Sequence, residues 1–129
     1  TLETDEELER LIVQFESGPY QDVVPEAVEV PFVLALSDRQ IRGRIDAVYR
    51  SADGASYQVV DWKTGTAPAD PLQLACYRLA WAKAKGIAIE QVDAVFYQLP
   101  TGKIVRPDEL LNEEELLAVI EQLPSSFTL

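Results

Sequence analysis

An Asp53-Gly54 dipeptide sits midway between two short stretches, Gly43-Arg44-Ile45-Asp46 and Val59-Val60-Asp61-Trp62-Lys63-Thr64-Gly65. Asp-Gly flanked by alternating apolar residues is a strong short-range hairpin signal. Any loop symmetric about that dipeptide brings position 46 opposite position 61. Because side chains alternate along a strand, Asp61 and Lys63 share one face, while Val60 and Trp62 share the other. Directly opposed side chains have Cβ atoms about 4.5–5.5 Å apart, and two like charges at that range destabilise a sheet. A positive group is therefore expected between Asp46 and Asp61, and a divalent cation held by both carboxylates, with Lys63 beside it, meets that need.

The composition narrows the classes around this pair. At 129 residues the chain is expected to form one domain over residues 1–129, with enough length for a real core. No apolar run reaches the ~20 residues of a membrane span and no signal peptide opens the sequence, so a cytoplasmic protein without a membrane partner is expected. Cys76 is the only cysteine and there is no histidine, which excludes disulfide frameworks, His-based triads and Cys/His zinc clusters within this chain. The net charge of −11 disfavours a surface that grips nucleic acid everywhere. Its distribution is uneven. Residues 1–31 carry nine acids against Arg10 alone, residues 107–129 carry six acids and no base, and the middle is net positive. The acidic ends read as solvated helix faces in preference to an acidic partner-binding surface.

Along the chain, Thr4 caps an amphipathic helix over 4–17 whose Leu8, Leu11, Ile12 and Phe15 are spaced to pack on a core. Residues 25–36 form a strand with a bulge or edge at Pro31, followed by a turn at Ser37-Asp38-Arg39-Gln40. Strand 41–50 alternates Ile41, Gly43, Ile45, Ala47 and Tyr49 against Arg42, Arg44, Asp46, Val48 and Arg50, and pairs with 57–63. After the loop Thr64–Asp70, Asp70-Pro71 opens a helix that Gly86 ends. Gln73 and Tyr77 lie one turn apart on it. Strands at 91–98 and 103–106 and a helix capped by Asn112 complete the series. The order α, three β, α, two β, α gives an α/β fold with a mixed sheet, because the strand after the crossover helix adds in parallel. Trp62 and Trp81 read as core.

The Gly-Arg-Ile-Asp stretch, Val-Val-Asp-Trp-Lys-Thr-Gly and Gln73-Leu74-Ala75-Cys76-Tyr77, in this order and spacing, resemble the PD-(D/E)XK nuclease superfamily, in particular the RecB-like nuclease domains of bacterial UvrD/RecB-type helicase-nucleases. The resemblance implies a restriction-endonuclease-like mixed β-sheet flanked by helices. It assigns Asp46 and Asp61 as ligands of Mg²⁺ or Mn²⁺, Lys63 as the catalytic lysine, and Gln73 and Tyr77 as residues that position the substrate strand or support the ligands. Arg42, Arg44 and Arg78 are candidate phosphate contacts.

A histidine upstream of the strands commonly completes the metal shell in that branch, and this chain has none. Either the sequence begins after that helix or another acid substitutes, with Glu29 the internal candidate. The function implied is metal-dependent DNA hydrolysis, as a single-strand exonuclease working with a helicase motor in DNA end processing or repair, the chain being a fragment of a larger helicase-nuclease. The alternative is a non-catalytic docking or DNA-binding module that keeps the nuclease fold.

Overall fold

The computed structural model describes residues 5–65 and 70–129. The Thr4 cap and part of the 64–70 loop lie outside them. Helix α1 (Asp5–Glu16) is followed by β1 (Ala27–Leu36), β2 (Arg39–Arg50), β3 (Tyr57–Lys63), α2 (Pro71–Lys85), β4 (Val92–Gln98), β5 (Lys103–Val105), α3 (Glu113–Ile120) and β6 (Ser126–Thr128). The sheet runs β1-β2-β3-β4-β5, with β6 also paired to β2. Pairing is antiparallel except for β3 with β4 and β2 with β6, so the sheet is mixed as expected. The strand β6 carries no strong local strand signal.

Helix α2 is the central packing element. Asp70 caps it by accepting from the Leu72 N–H at 2.9 Å, Pro71 occupies the first turn, and Gly86 closes it at φ 67°; such a cap contributes about 1 kcal/mol. Its crossover from β3 to β4 is the connection that a parallel pair requires. Leu74, Tyr77 and Trp81 pack on Ile45, Val48, Val59 and Phe96, while Ala75, Cys76 and Leu79 meet Ile41, Leu116 and Ile120. Burying a side chain such as Leu74 or Leu116 stabilises by about 1.5–3 kcal/mol. Helix α3 starts with a reciprocal cap between Asn112 and Glu115. Cys76 is buried within α2, and burial pushes its thiol up to about 12, so it stays protonated.

The other face of the sheet carries Ala47, Tyr49, Val60, Val95, Tyr97 and Tyr20, with Phe15 and Trp62 packed against them. Helix α1 departs from its expected role there. None of its described residues is buried, and Leu8 and Ile12 are exposed. Among the described residues no helix is long and apolar enough to cross a membrane.

Two features of the β-sheet depart from simple alternation. The β2–β3 loop spans six residues, but it is symmetric about Asp53-Gly54, with Ser51 N–H donating to Ser56 O and Gly54 at φ 75°. The expected register survives, with Ala47 opposite Val60 and Arg50 opposite Tyr57. Within β2, however, Ile41 and Ile45 face α2, Ala47 and Tyr49 face the other way, and Val48 faces α2 again. The phase therefore slips by one residue at Asp46. The neighbouring β1 slips in step: Val30 and Phe32 pack toward α2, as does Ala27, and the residue between is Glu29 at φ 48°. Glu29 is skipped in the pairing, between Val28 opposite Ala47 and Val30 opposite Ile45. The irregularity expected near Pro31 falls two residues earlier, on an edge strand.

Candidate active site

One edge of β2 is shared by two strands. β6 pairs with residues 40–42 and β3 with residues 47–50, so positions 43–46 have no ladder partner on that edge. Asp46 lies in this gap. Its Oδ2 accepts the Trp62 N–H at 2.9 Å, which satisfies an amide that the β2–β3 ladder no longer reaches. The side chain thus substitutes for a strand and points along the sheet toward β3. Gly43 has no side chain because the rings of Phe32 and Tyr77 occupy that space; a Cβ would come within 2.8 Å of the Phe32 ring.

Asp61 projects from β3 to the α2 face and is the one buried charged residue among those described, at 4 % exposure. It is close enough to Asp46 for a protonated carboxyl of one to hydrogen-bond the other. Burial first, then that hydrogen bond and the Asp61 charge, raise the Asp46 carboxyl from its ordinary 3.8 to about 6, against the lowering pull of the Trp62 N–H and Lys63. The like-charge conflict expected from the register is therefore present in the fold.

Lys63 is two residues past Asp61 on the same face. Its Nζ lies 2.8 Å from Asp61 Oδ2 as an ion pair, and among the described residues that buried oxygen has no other partner. The ammonium is also 3.3 Å from Gln73 Oε1, to which it donates, and Gln73 Nε2 in turn donates to the Tyr77 hydroxyl at 2.9 Å. The two helix residues thus reach the site as a chain, Tyr77 to Gln73 to Lys63. Desolvation, reinforced by the nearby Asp61 charge, pushes the Tyr77 phenol up to about 12. The Phe96 ring lies 5.4 Å from Lys63 Nζ and supplies an apolar, cation-attracting floor. Phe96 was not among the candidates read from sequence. Only the parallel register, which puts it opposite Asp61, reveals it.

The remaining candidates separate from this group. Glu29 is exposed, and among the described residues Asp46 and Asp61 are joined by no third Asp, Glu, His or Cys in a metal-binding cluster. Arg78 is committed elsewhere, donating from Nε to Val92 O at 2.5 Å; Val92 pairs with Tyr57, at the opposite end of the β3–β4 ladder from Lys63. Arg42 and Arg44 flank Gly43 and line an open groove of about 490 Å³ with Phe32 and Leu129. Because the phase slips at Asp46, they alternate away from the face that carries Asp61, where regular alternation would have aligned them with Asp46.

These residues fit a hard divalent cation. Two adjacent carboxylates repel each other, one of them is buried with only the Lys63 ammonium as partner among the described residues, and oxygen donors suit Mg²⁺ or Mn²⁺. Asp46 and Asp61 would hold the ion, with Lys63 beside it.

Comparison with known proteins gives matches of three kinds. The gene 69 protein of Mycobacterium phage L5 is 43 % identical over 81 residues, which are 63 % of this chain and 27 % of that protein; the chain spans about a quarter of that relative's length. The crystal structure of SSO0001 superposes with a TM-score of 0.48 at 19 % identity, covering 91 % of this chain and 57 % of that one. The sequence profile of the PD-(D/E)XK nuclease superfamily matches residues 3–126, nearly the whole length, and by that match this chain belongs to the PD-(D/E)XK nuclease superfamily.

Proposed function

We propose that the chain is a Mg²⁺- or Mn²⁺-dependent deoxyribonuclease domain that hydrolyses phosphodiester bonds at Asp46, Asp61 and Lys63. The observation that carries this reading is the approach of Asp61 to Asp46, the carboxylate in the strand gap, with the Lys63 ammonium against Asp61. When bound, the cation would neutralise charge on the phosphate and make water acidic enough to attack near neutral pH. Asp46 and Asp61 place it. Lys63, steered by Gln73, orients the attacking water or stabilises negative charge that develops on the phosphate oxygens. Tyr77 holds the Gln73 amide so that its oxygen faces Lys63. Arg42 and Arg44, which alternate away from the Asp61 face, would contact phosphates only where the strand has left the cleavage point and passes the groove beside Gly43.

The finer reading is a RecB-like domain that takes single-stranded DNA as an exonuclease beside a helicase motor, in cis or as a partner subunit, in end processing or repair. Its support is the order and spacing of the three motifs, together with an overall acidic surface that a motor would complement. Cleavage of a labelled single strand by the isolated chain should require Mn²⁺ or Mg²⁺ and low salt, be abolished by EDTA, and disappear in Asp61→Ala. Cleavage that persists in EDTA or in Asp61→Ala rules the mechanism out.

A second reading, a docking module that keeps the fold without catalysis, is favoured by the missing third ligand among the described residues. Calorimetric titration with Mn²⁺ separates the two. An intact carboxylate pair binds the ion, and a docking relic does not.

A further inference from the structure

The described residues cover the sheet face opposite the carboxylates only in part. Between α1 and the β1–β2 strands runs an open trough of about 800 Å³, with Leu8, Ile12 and Phe15 on one wall, Val28 and Tyr49 on the other and Trp62 in the floor. Leu8 is 42 % exposed, Ile12 46 % and Val28 58 %. With Val23, which also lines the trough and is exposed, they form an apolar surface of the kind that marks an interaction site.

Among the described lining residues the charged one is an acid, and the chain segment that forms both walls is strongly acidic. Glu16 lines the α1 side, Asp5 lies three residues before Leu8 on the same helix, and Asp22 and Glu26 adjoin the lining residues Gln21, Val23 and Pro25; all four acids are exposed. Arg10 is the sole base in residues 1–31, and it faces Pro100 and Gln14 away from the trough. A long apolar channel bordered by acids matches a helix with apolar anchors at i, i+3 or i+4, and i+7 and lysines or arginines on both flanks. A second copy of this chain would bring acidic borders against acidic borders, at a net charge of −11 on each molecule. We infer that this trough docks a basic amphipathic helix of a partner protein. It is separate from the carboxylate site, from which the sheet divides it, and does not depend on the nuclease reading.

The probe is a fluorescein-labelled synthetic peptide with leucine anchors in that spacing and lysine flanks, titrated with the full chain by fluorescence anisotropy. Two controls keep either the anchors with glutamate flanks or the lysines with serine anchors. The basic amphipathic peptide should bind in the micromolar range, more weakly as salt rises, and both controls at least about tenfold more weakly. Leu8→Gln and Ile12→Gln should each weaken it about tenfold, and Glu16→Lys should weaken it and flatten the salt dependence. Val119→Gln, an exposed apolar residue on α3, should leave binding unchanged. Circular dichroism and melting temperature verify that each variant is folded.

Absence of peptide binding, equal binding of the glutamate-flanked control, or indifference to Ile12→Gln in a folded variant each overturns the inference. So does concentration-dependent dimerisation that Ile12→Gln abolishes, because the occupant would then be a second copy.

Discussion

The Trp62 amide N–H donates to Asp46 Oδ2 across 2.9 Å, so a site carboxylate also terminates the β2–β3 ladder. Under the proposed mechanism structural and chemical roles coincide in one side chain, and asparagine separates them. Asp46→Asn retains an acceptor for the Trp62 N–H and should fold like the parent, while losing the extra stability that Mn²⁺ confers. Asp46→Ala leaves that amide unpaired, which costs about 1–3 kcal/mol, offset in part by relief of repulsion with Asp61. Urea denaturation with and without Mn²⁺ measures both effects.

Metal-free stability should depend on pH in an unusual direction. The Asp46 carboxyl is raised to about 6 in the folded protein from an ordinary 3.8, so between those values the folded state binds more protons than the unfolded state. Stability contributed by this group therefore increases as pH falls through 6 toward 4. Asp93 acts oppositely. Burial raises it, but hydrogen bonds from Arg106 and Gln58 more than offset that and hold it low, so its contribution is lost only in acid below its unfolded value. In EDTA, the melting temperature should rise from pH 7 to pH 5, and Asp46→Asn should remove that rise.

Divalent metal should stabilise the fold by mass action. At free Mn²⁺ about ten times its dissociation constant the gain is about 1.4 kcal/mol, seen as a melting increase of several degrees. Asp61→Ala should eliminate it. A gain that survives in Asp61→Ala would place the ion elsewhere.

Lys63, Gln73 and Tyr77 should show graded effects. Lys63→Ala removes the charge at the reacting centre and should slow cleavage by about 10²–10³-fold. Gln73→Ala leaves the lysine present but unsteered, and should lower kcat less, with little change in KM. Tyr77→Phe keeps the edge-on ring contact with Phe32 at 5.5 Å and removes one hydrogen bond, worth about 1 kcal/mol. Single-turnover rates on a single-stranded substrate order the three, and Tyr77→Phe losing more than Lys63→Ala would contradict this chain of contacts.

Gly18 and Tyr97 form a packing pair on the other face. A Cβ at Gly18 would collide with the Tyr97 hydroxyl, a buried group with no hydrogen-bond partner among the described residues. Tyr97→Phe should be neutral or stabilising by about 1 kcal/mol, whereas Gly18→Ala should cost about 1–3 kcal/mol through overpacking. The double variant should recover much of that cost. A denaturant double-mutant cycle gives the coupling.

Local chemistry in the sequence determined most elements and the central register. Asp53-Gly54 makes the loop symmetric, Asp70-Pro71 and Gly86 bound α2, Asn112 opens α3, and strand alternation puts Asp61 and Lys63 on one face. Each depends on residues a few positions apart, whose conformational preferences act before any tertiary contact forms. Tertiary packing decided the rest. The phase slip at Glu29 and Asp46 lets Ile45 and Val48 both reach α2, and no local periodicity announces it, because alternation is fixed only while a ladder continues. The pairing of β6 opened the gap that Asp46 fills, and the Val92 carbonyl captured Arg78 from the opposite end of the sheet. Helix α1 carries the periodic apolar face of a core helix, yet periodicity records only that a face is apolar. Whether other residues of this chain cover it depends on the space they can reach, and that is set by the assembled fold.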